Sequence, residues 1–163
     1  MPQLTTLELA KEHFKFSAGH FTIFSATDRE NLHGHNWQVG VEITAEVGDN
    51  GLTFDYAVAK RQAEAYCAGL NERFLLPGRS PYLRIEETET GITAIFGDER
   101  LPFLRRDVLV LPLRNVTVEE LSGWLLGRFC EDLAARTELA IHAITVKVYS
   151  GPGQCATSCW QRP

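Results

Sequence analysis

The sequence predicts an α+β domain in which two helices cover one face of a mostly antiparallel β-sheet. Apolar residues at every odd position from Trp37 to Val47 indicate a long, half-buried strand. Apolar residues at helical spacing over about 56–73, and again from Thr117 onward, indicate two amphipathic helices. The order strand, strand, helix, short strands, helix, strand favours helices packed together on one side of the sheet.

The first half of the chain supplies the sheet centre and the first helix. Residues 4–16 carry β-formers with partial alternation and predict a first strand. The long strand begins near His35 and ends at Gly48-Asp49-Asn50-Gly51, which is a turn signal. Asp55 is a suitable N-cap for a helix over about 56–73.

The second half begins with a break, because residues 77–81 read Pro-Gly-Arg-Ser-Pro. Short strands are predicted at 82–88, 91–96 and 108–113. Thr117-Val118-Glu119-Glu120 has the spacing of a capping box and predicts the start of the second helix. A last strand over 141–149 precedes a tail rich in glycine and proline.

Composition limits the class of protein. The 163 residues, 44% apolar and 23% charged, fit a single globular domain spanning 1–163. A net charge of −5 without long runs of like charge gives no nucleic-acid footprint, so we expect no nucleic-acid partner. We also expect a cytoplasmic protein with no membrane contact, because no apolar run is long enough to span a bilayer and the first six residues lack a signal-peptide pattern. Four scattered cysteines predict reduced thiols.

Three of the five histidines fall within sixteen residues and predict a metal centre. His33 and His35 lie two apart at the start of a strand, so their imidazoles point to the same face. His20, thirteen residues earlier, can complete the set from a neighbouring strand. Three imidazoles with a fourth position open are typical of catalytic zinc.

The motifs around these histidines resemble those of 6-pyruvoyl- and 6-carboxy-tetrahydropterin synthases. The resemblance rests on residues 16–20 (Phe-Ser-Ala-Gly-His) and 32–37 (Leu-His-Gly-His-Asn-Trp). It continues through residues 51–56 with Lys60, and through residues 115–121. Order and spacing match over most of the chain, apart from an apparent insertion at about 80–112.

This resemblance implies a fold, a metal and a substrate class. The fold implied is the tunnelling fold (T-fold), which assembles into a homo-oligomer, a trimer or hexamer, with active sites at subunit interfaces. The resemblance implies Zn²⁺ held by His20, His33 and His35, and a reduced pterin substrate, typically 7,8-dihydroneopterin triphosphate. Zinc would act as a Lewis acid on the hydroxyls of the pterin side chain.

The chain departs from the family pattern at the expected catalytic cysteine. That cysteine normally lies a few residues before His33, and Arg29 takes its place here. Glu30 stands where a glutamate-variant branch of the family carries its catalytic carboxylate. That branch cleaves the dihydroneopterin side chain to 6-hydroxymethyl-dihydropterin, so Glu30 is a candidate base, with an ordinary loop glutamate as the alternative interpretation.

Two further departures concern proton transfer and pterin binding. The family's Asp-His pair at the end of the first helix is replaced by Asn71 and Glu72. Glu72 is a candidate acid/base group, or the partner of a nearby arginine. Ser150 stands where the family places a pterin-anchoring glutamate, and Thr117 matches a threonine near the pterin pocket, so both are candidate substrate-binding residues.

Several functional hypotheses therefore remain open. The leading one is a zinc-dependent lyase or synthase acting on a dihydropterin, with Glu30 as base and Glu72 as a second proton carrier. The substrate could instead be another polyhydroxylated heterocycle or a sugar-like compound, because position 150 is not glutamate. A non-catalytic zinc-binding oligomer is a third hypothesis, and a thiol from Cys155 or Cys159 replacing the missing cysteine is a fourth.

Overall fold

The structure is a computed structural model that describes residues 2–163, and within that range it contains ten β-strands and two α-helices. In chain order these elements are β1 (Leu4–Leu9), β2 (Lys15–His20), β3 (His33–Glu46), α1 (Ala57–Leu70), β4 (Arg73–Pro77), β5 (Leu83–Glu87), β6 (Gly91–Phe96), β7 (Glu99–Leu104), β8 (Val108–Leu111), α2 (Val118–Phe129), β9 (Ile141–Gly151) and β10 (Gln154–Gln161).

The main sheet is built around β3, its longest strand. Along one edge of β3 lie β2 and then β1, and along the other edge lies β9, all antiparallel to it. The sheet continues outward through β10 beside β9, and through β4 and β8 beyond β2. Only the pairs β2–β4 and β4–β8 are parallel. The predicted α+β class with a mostly antiparallel sheet is confirmed.

Both helices pack on one face of this sheet. The odd-numbered residues of β3, from Trp37 to Ala45, are all almost fully buried. They share one hydrophobic core with the apolar stripes of the two helices, among them Leu70 of α1 and Leu125 of α2. Within residues 2–163, no helix combines the length and apolar character that crossing a bilayer requires.

The ends of the predicted elements need several corrections. The strand predicted over 4–16 is two strands, because a turn closed by a hydrogen bond from Phe14 N–H to the Lys11 carbonyl (3.0 Å) separates β1 from β2. The first helix ends at Leu70 rather than near 73. Asp55 does contribute to its start, since its Oδ1 accepts a hydrogen bond from Ala57 N–H (3.0 Å).

Three strands were not predicted, namely β4, β7 and β10. The segment predicted as a glycine- and proline-rich tail is mostly β10, which turns back on β9 and pairs with it along its whole length. The segment predicted as an insertion, 80–112, holds β5, β6 and β7, which form a separate three-stranded antiparallel sheet. A second, smaller core joins this sheet to Phe21 and Ile23, which follow β2.

The second helix starts where the capping box predicts. Thr117 is the N-cap, and its Oγ1 accepts a hydrogen bond from Glu120 N–H (3.3 Å). The Glu120 carboxylate does not form the reciprocal half of the box, because it instead accepts hydrogen bonds from the backbone and guanidinium of Arg114. The cap and this bridge fix the N-terminus of α2 relative to the segment that precedes it.

Leu125→Ala should destabilise the protein by about 2–5 kcal/mol, because Leu125 is fully buried between α2 and the sheet and its removal leaves a cavity. Urea unfolding at neutral pH would measure the change in the free energy of unfolding. Leu52→Ala is the matched control, since Leu52 is 65% exposed and its truncation should cost little. Equal effects of the two substitutions would contradict this packing of α2.

Candidate metal centre

The pairing of β2 with β3 brings the three histidines together. His20 lies directly opposite His33, and Ala18 lies opposite His35. Opposed residues of an antiparallel pair share a face, so all three imidazoles extend from the face that carries the core. The ring centroids are 4.5–5.1 Å apart. The histidines thus continue the buried stripe of β3 at the end where it reaches solvent.

Glycines separate the histidines because the opposite face of the sheet is crowded there. Gly19 pairs with Gly34, between the two histidine-bearing positions. A Cβ on Gly19 would lie 2.5 Å from the ring of Phe74 on β4. Close packing of β4 therefore requires glycine at position 19. His20, the next residue on β2, points to the opposite face, toward the core.

His20 is the most buried member of the set. Its Nδ1–H donates a hydrogen bond to the Val116 carbonyl (2.7 Å), which leaves Nε2 as the free nitrogen. Nε2 is buried and has no hydrogen-bond partner within residues 2–163. Burial lowers the pKa of His20 to about 4, although the bond to Val116 opposes this shift. A neutral imidazole with a buried, unpartnered nitrogen is what a metal ligand requires.

His33 and His35 present their Nε2 atoms to each other. These two atoms are 3.1 Å apart, and Nδ1–H of His33 donates to the Asn31 carbonyl (2.8 Å). The ligand atoms of all three histidines lie within 4.8 Å of one another. Nitrogens bound to one tetrahedral zinc at about 2.0–2.1 Å would stand about 3.3 Å apart. The donor set and its spacing therefore fit zinc.

Asn115, which lies in one of the motifs but was not predicted as a site residue, holds the segment behind His20. Its Nδ2–H donates to the Ile23 carbonyl (2.8 Å), and its Oδ1 accepts from Ile23 N–H and Val116 N–H (3.1 Å each). The side chain thereby joins the loop after β2 to the residue whose carbonyl binds His20. No local sequence signal identifies such a role, because it depends on two segments that are 92 residues apart.

A cavity of about 230 Å³ opens beside the three imidazoles. It brings together every predicted site residue except Glu72, and also residues that were not predicted. Its lining consists of His20, Thr22, Glu30, His33, His35, Trp37, Thr117, Val118, Glu119, Ser150 and Gln154. Arg29, Cys155 and Cys159 are not among these residues.

Glu30 is fixed close to the histidines. Its Oε2 accepts a hydrogen bond from Thr22 N–H (2.9 Å) and lies 3.8 Å from Nε2 of His33. Burial raises the pKa of Glu30, but the hydrogen bond from Thr22 and the charges of His33 and His20 more than offset this, so the pKa lies below its usual value. The side chain is therefore an ionised carboxylate at neutral pH.

The cavity lining also includes polar groups from β9, β10 and the N-terminus of α2. Ser150 is buried, and its Oγ accepts a hydrogen bond from Gln154 Nε2–H (2.7 Å). Thr117 caps α2 and also lines the cavity, so the two roles considered for it are compatible. Gln154 was missed because β10 was missed, and Glu119 could have been found from its place in the first turn of α2.

Glu72 does not lie in this cavity within one chain. It has a positive φ of 56° just after α1, and its N–H donates to the Ser17 carbonyl (2.7 Å). It lines a different, open cavity together with Arg73 and His35. Asn71 lies beside it, and its Oδ1 accepts a hydrogen bond from Ser17 N–H (2.8 Å).

Comparison with known proteins finds one family across nearly the whole chain. A family model described as 6-pyruvoyl tetrahydropterin synthase matches residues 8–159. A protein of Methanocaldococcus jannaschii, provisionally named 6-carboxy-5,6,7,8-tetrahydropterin synthase, is 24% identical over 159 residues, which is 96% of each chain.

Solved structures show the same fold. The 6-pyruvoyl tetrahydropterin synthase of Plasmodium vivax superposes with a TM-score of 0.91 and 27% identity, covering 98% of this chain and 99% of that one. Structures of its catalytic-residue variants, in which a glutamate is changed to cysteine or to alanine, superpose with a TM-score of 0.92 at 26% identity over the same shares of the two chains. These matches confirm the predicted T-fold.

His33→Ala should reduce bound zinc from about one ion per chain to a small fraction of that, because two imidazoles cannot hold the ion as three do. Elemental analysis of purified protein after dialysis would measure the metal content. His142→Ala is the matched control, since His142 pairs with Glu46 (2.8 Å) outside the cavity. Full zinc retention in His33→Ala would contradict the proposed ligand set.

The metal-free protein should lose stability as the pH falls from about 6.5 to about 4. In the unfolded chain His20 takes up a proton near the ordinary histidine pKa of 6.5, whereas burial lowers its pKa in the folded chain to about 4. Between these values the unfolded state binds more protons and is favoured. Urea unfolding in a chelator would show this slope, and His20→Gln should flatten it relative to the wild type.

Proposed function

This chain belongs to the 6-pyruvoyl tetrahydropterin synthase family, and from that premise we propose that it is a zinc-dependent lyase or synthase acting on the side chain of a reduced pterin. The substrate we propose is of the 7,8-dihydroneopterin triphosphate class. The single observation that carries the proposal is the cavity in which Glu30 lies beside three converging imidazoles. The names of the relatives support the substrate class, since each names a tetrahydropterin synthase.

We propose that His20, His33 and His35 hold the zinc ion through their Nε2 atoms. The buried, unpartnered Nε2 of His20 and the 3.1 Å separation of the other two Nε2 atoms support this assignment. When bound, zinc supplies Lewis acidity, which lowers the pKa of a substrate hydroxyl placed against it. Imidazole ligands leave a net positive site, which favours an ionised oxygen of the substrate.

Glu30 is the proposed base. Its carboxylate is ionised and held by Thr22 N–H, so it can accept a proton without first changing its rotamer. A carboxylate is a weak base, and a substrate group already acidified by a metal suits it better than an unactivated one. The P. vivax enzyme, whose catalytic residue is a glutamate, supports a carboxylate in this role.

Thr117 and Ser150 are the proposed substrate-binding residues, with Gln154 and Glu119 beside them. Ring nitrogens and the amino group of a pterin need hydrogen-bond donors and acceptors, and these side chains supply both. The Gln154 amide donates to Ser150, so its carbonyl oxygen stays available to accept from a ligand. This group and Glu30 line the same cavity.

The active form we propose is a homo-oligomer with sites at subunit interfaces. One chain offers a cavity of about 230 Å³, which is smaller than the roughly 300–1,000 Å³ typical of ligand sites. A neighbouring subunit would enclose the remaining substrate surface. Glu72, which lies outside the cavity of its own chain, would serve as a second proton carrier in a site shared between chains.

A second candidate function is cleavage of the dihydroneopterin side chain to 6-hydroxymethyl-dihydropterin. Arg29 in place of the cysteine and Glu30 in the cavity favour it, because the base is then a carboxylate. The two candidates share the metal and the base. They differ in the bond that is broken and in whether the triphosphate is required.

Zinc-loaded protein should convert 7,8-dihydroneopterin triphosphate to a synthase product, identified by mass spectrometry. Glu30→Gln should lower kcat about 10²- to 10⁴-fold, because the amide cannot accept the proton. Glu138→Gln is a matched control, since Glu138 pairs with Arg136 at an exposed site outside the cavity.

Each outcome of this assay decides between the candidates. Cleavage of unphosphorylated 7,8-dihydroneopterin to the hydroxymethyl product, without turnover of the triphosphate, favours the second function. Consumption of neither compound overturns both and leaves either a different polyhydroxylated substrate or a non-catalytic zinc-binding oligomer. Full activity of Glu30→Gln removes Glu30 from the mechanism.

A further inference from the structure

Arg29, the residue before the proposed base, points away from the metal centre. Only 13% of its side chain is exposed, although it lies in a loop. Its guanidinium lies over the ring of Phe21 (5.2 Å to the centroid) and over the ring of Phe96 (5.8 Å). Residues 29 and 30 thus face opposite ways, one toward the three-stranded sheet and one toward the histidines.

The guanidinium of Arg29 forms polar contacts both with the three-stranded sheet and with the loop that carries Glu30. Nε–H and Nη2–H of Arg29 donate to Oε2 of Glu99, at 2.7 and 2.5 Å. Nη1–H donates to the backbone carbonyl of Glu30 (2.8 Å). One side chain therefore joins the backbone of the proposed base to a carboxylate 70 residues away in the chain.

The residues of the three-stranded sheet that contact Arg29 lie at the tip of one β-hairpin. Phe96 ends β6, Glu99 begins β7, and the two residues are paired across the turn that joins these strands. The hairpin tip therefore offers an aromatic face and a carboxylate to the same guanidinium. Both contacts suit arginine, whose planar cation stacks on rings and donates in several directions at once.

The loop that carries Glu30 is a small hairpin, which the Asn115 side chain also holds through the backbone of Ile23. Glu30 N–H donates to the Thr22 carbonyl (2.9 Å), and Ile23 forms an isolated antiparallel bridge with Arg29. These bonds connect the two arms of the loop to each other. Arg29 and its partners connect the loop to the three-stranded sheet, so they restrict where the Glu30 backbone can lie.

We propose that Arg29 and Glu99 are positioning residues that hold Glu30 at the metal centre, and that the three-stranded sheet β5–β7 serves as the support for this contact. The inference rests on the proposed function, in which Glu30 is the base. It assigns to the 80–112 segment a part in activity through the tip of its β6–β7 hairpin. Displacement of a reacting group by about 1 Å can cost about 10²-fold in rate.

Steady-state kinetics of three variants on the zinc-loaded oligomer tests this inference. Glu99→Gln removes the ion pair, Arg29→Lys keeps the charge but cannot reach Glu99 and the Glu30 carbonyl together, and Arg29→Met removes both contacts. We expect kcat to fall about 10- to 100-fold in Arg29→Met and Arg29→Lys, with KM close to the wild-type value and zinc content unchanged. Glu99→Gln should show a smaller fall in kcat.

Glu86→Gln is the matched control, because Glu86 pairs with Arg100 on the same three-stranded sheet without contacting the site loop. It should leave kcat unchanged. The double variant of Arg29→Met and Glu99→Gln should be no slower than Arg29→Met alone, since both substitutions remove the same contact.

Wild-type kcat in folded Arg29→Lys and Glu99→Gln, with only a lower melting temperature, would overturn the inference, because the contact would then serve stability alone. Equal losses in Glu99→Gln and Glu86→Gln would also overturn it. Glu30→Gln, measured in parallel, separates this failure from failure of the proposed function. If Glu30→Gln is inactive while the Arg29 and Glu99 variants are fully active, only the positioning inference is wrong.

Discussion

The hydrogen bond from Nδ1–H of His20 to the Val116 carbonyl connects the metal centre to the rest of the fold. It is short and buried, and it joins the end of β2 to the residue two before the first turn of α2. It fixes the tautomer of His20 and so determines which nitrogen faces the other imidazoles. Thr117 and Glu119, which follow within three residues of Val116, line the cavity, so the same bond connects His20 to the segment that carries them. Asn115, the residue before Val116, forms a second connection between these two segments, because its side chain hydrogen-bonds to the backbone of Ile23. The proposed metal ligand His20, the loop of the proposed base and the start of α2 are therefore connected by one set of backbone-directed hydrogen bonds.

Much of the site could be predicted from sequence because it depends on the two-residue period of one strand. Alternation along β3 places His33, His35 and Trp37 on the buried face, with Gly34 between the two histidines. The start of α2 could also be predicted from the sequence, because an N-cap threonine accepts a hydrogen bond from a residue only three positions away. These features are local, and local rules describe them well.

The rest depends on contacts between distant segments, which local patterns do not encode. β10 follows a glycine and proline turn and is half polar, so its sequence resembles a tail; its stability comes from pairing with β9 and packing against α2. Because β10 was not predicted, Gln154 was not predicted as a residue of the site. Glu72 was predicted at the end of the first helix, but α1 ends at Leu70, a positive φ turns the chain at Glu72, and this residue lines a different cavity. The sequence analysis noted Arg29 only as the replacement of a cysteine, because its contacts with Phe96 and with Glu99, which is 70 residues away, do not follow from any local pattern.

The direct pairing of His20 with His33 has a consequence for folding. A metal ion bound by both residues would hold β2 and β3 in a single register. A shift of the pairing by one residue would place His20 and His33 on opposite faces of the sheet. The same ion would join the two ends of the loop of residues 21–32, which carries Thr22 and Glu30, and so hold this loop closed in the folded chain. Free zinc concentration would then enter the unfolding equilibrium directly, with occupancy and strand alignment rising together. An ion bound there would therefore report that β2 and β3 are correctly aligned, in addition to the catalytic role proposed for it.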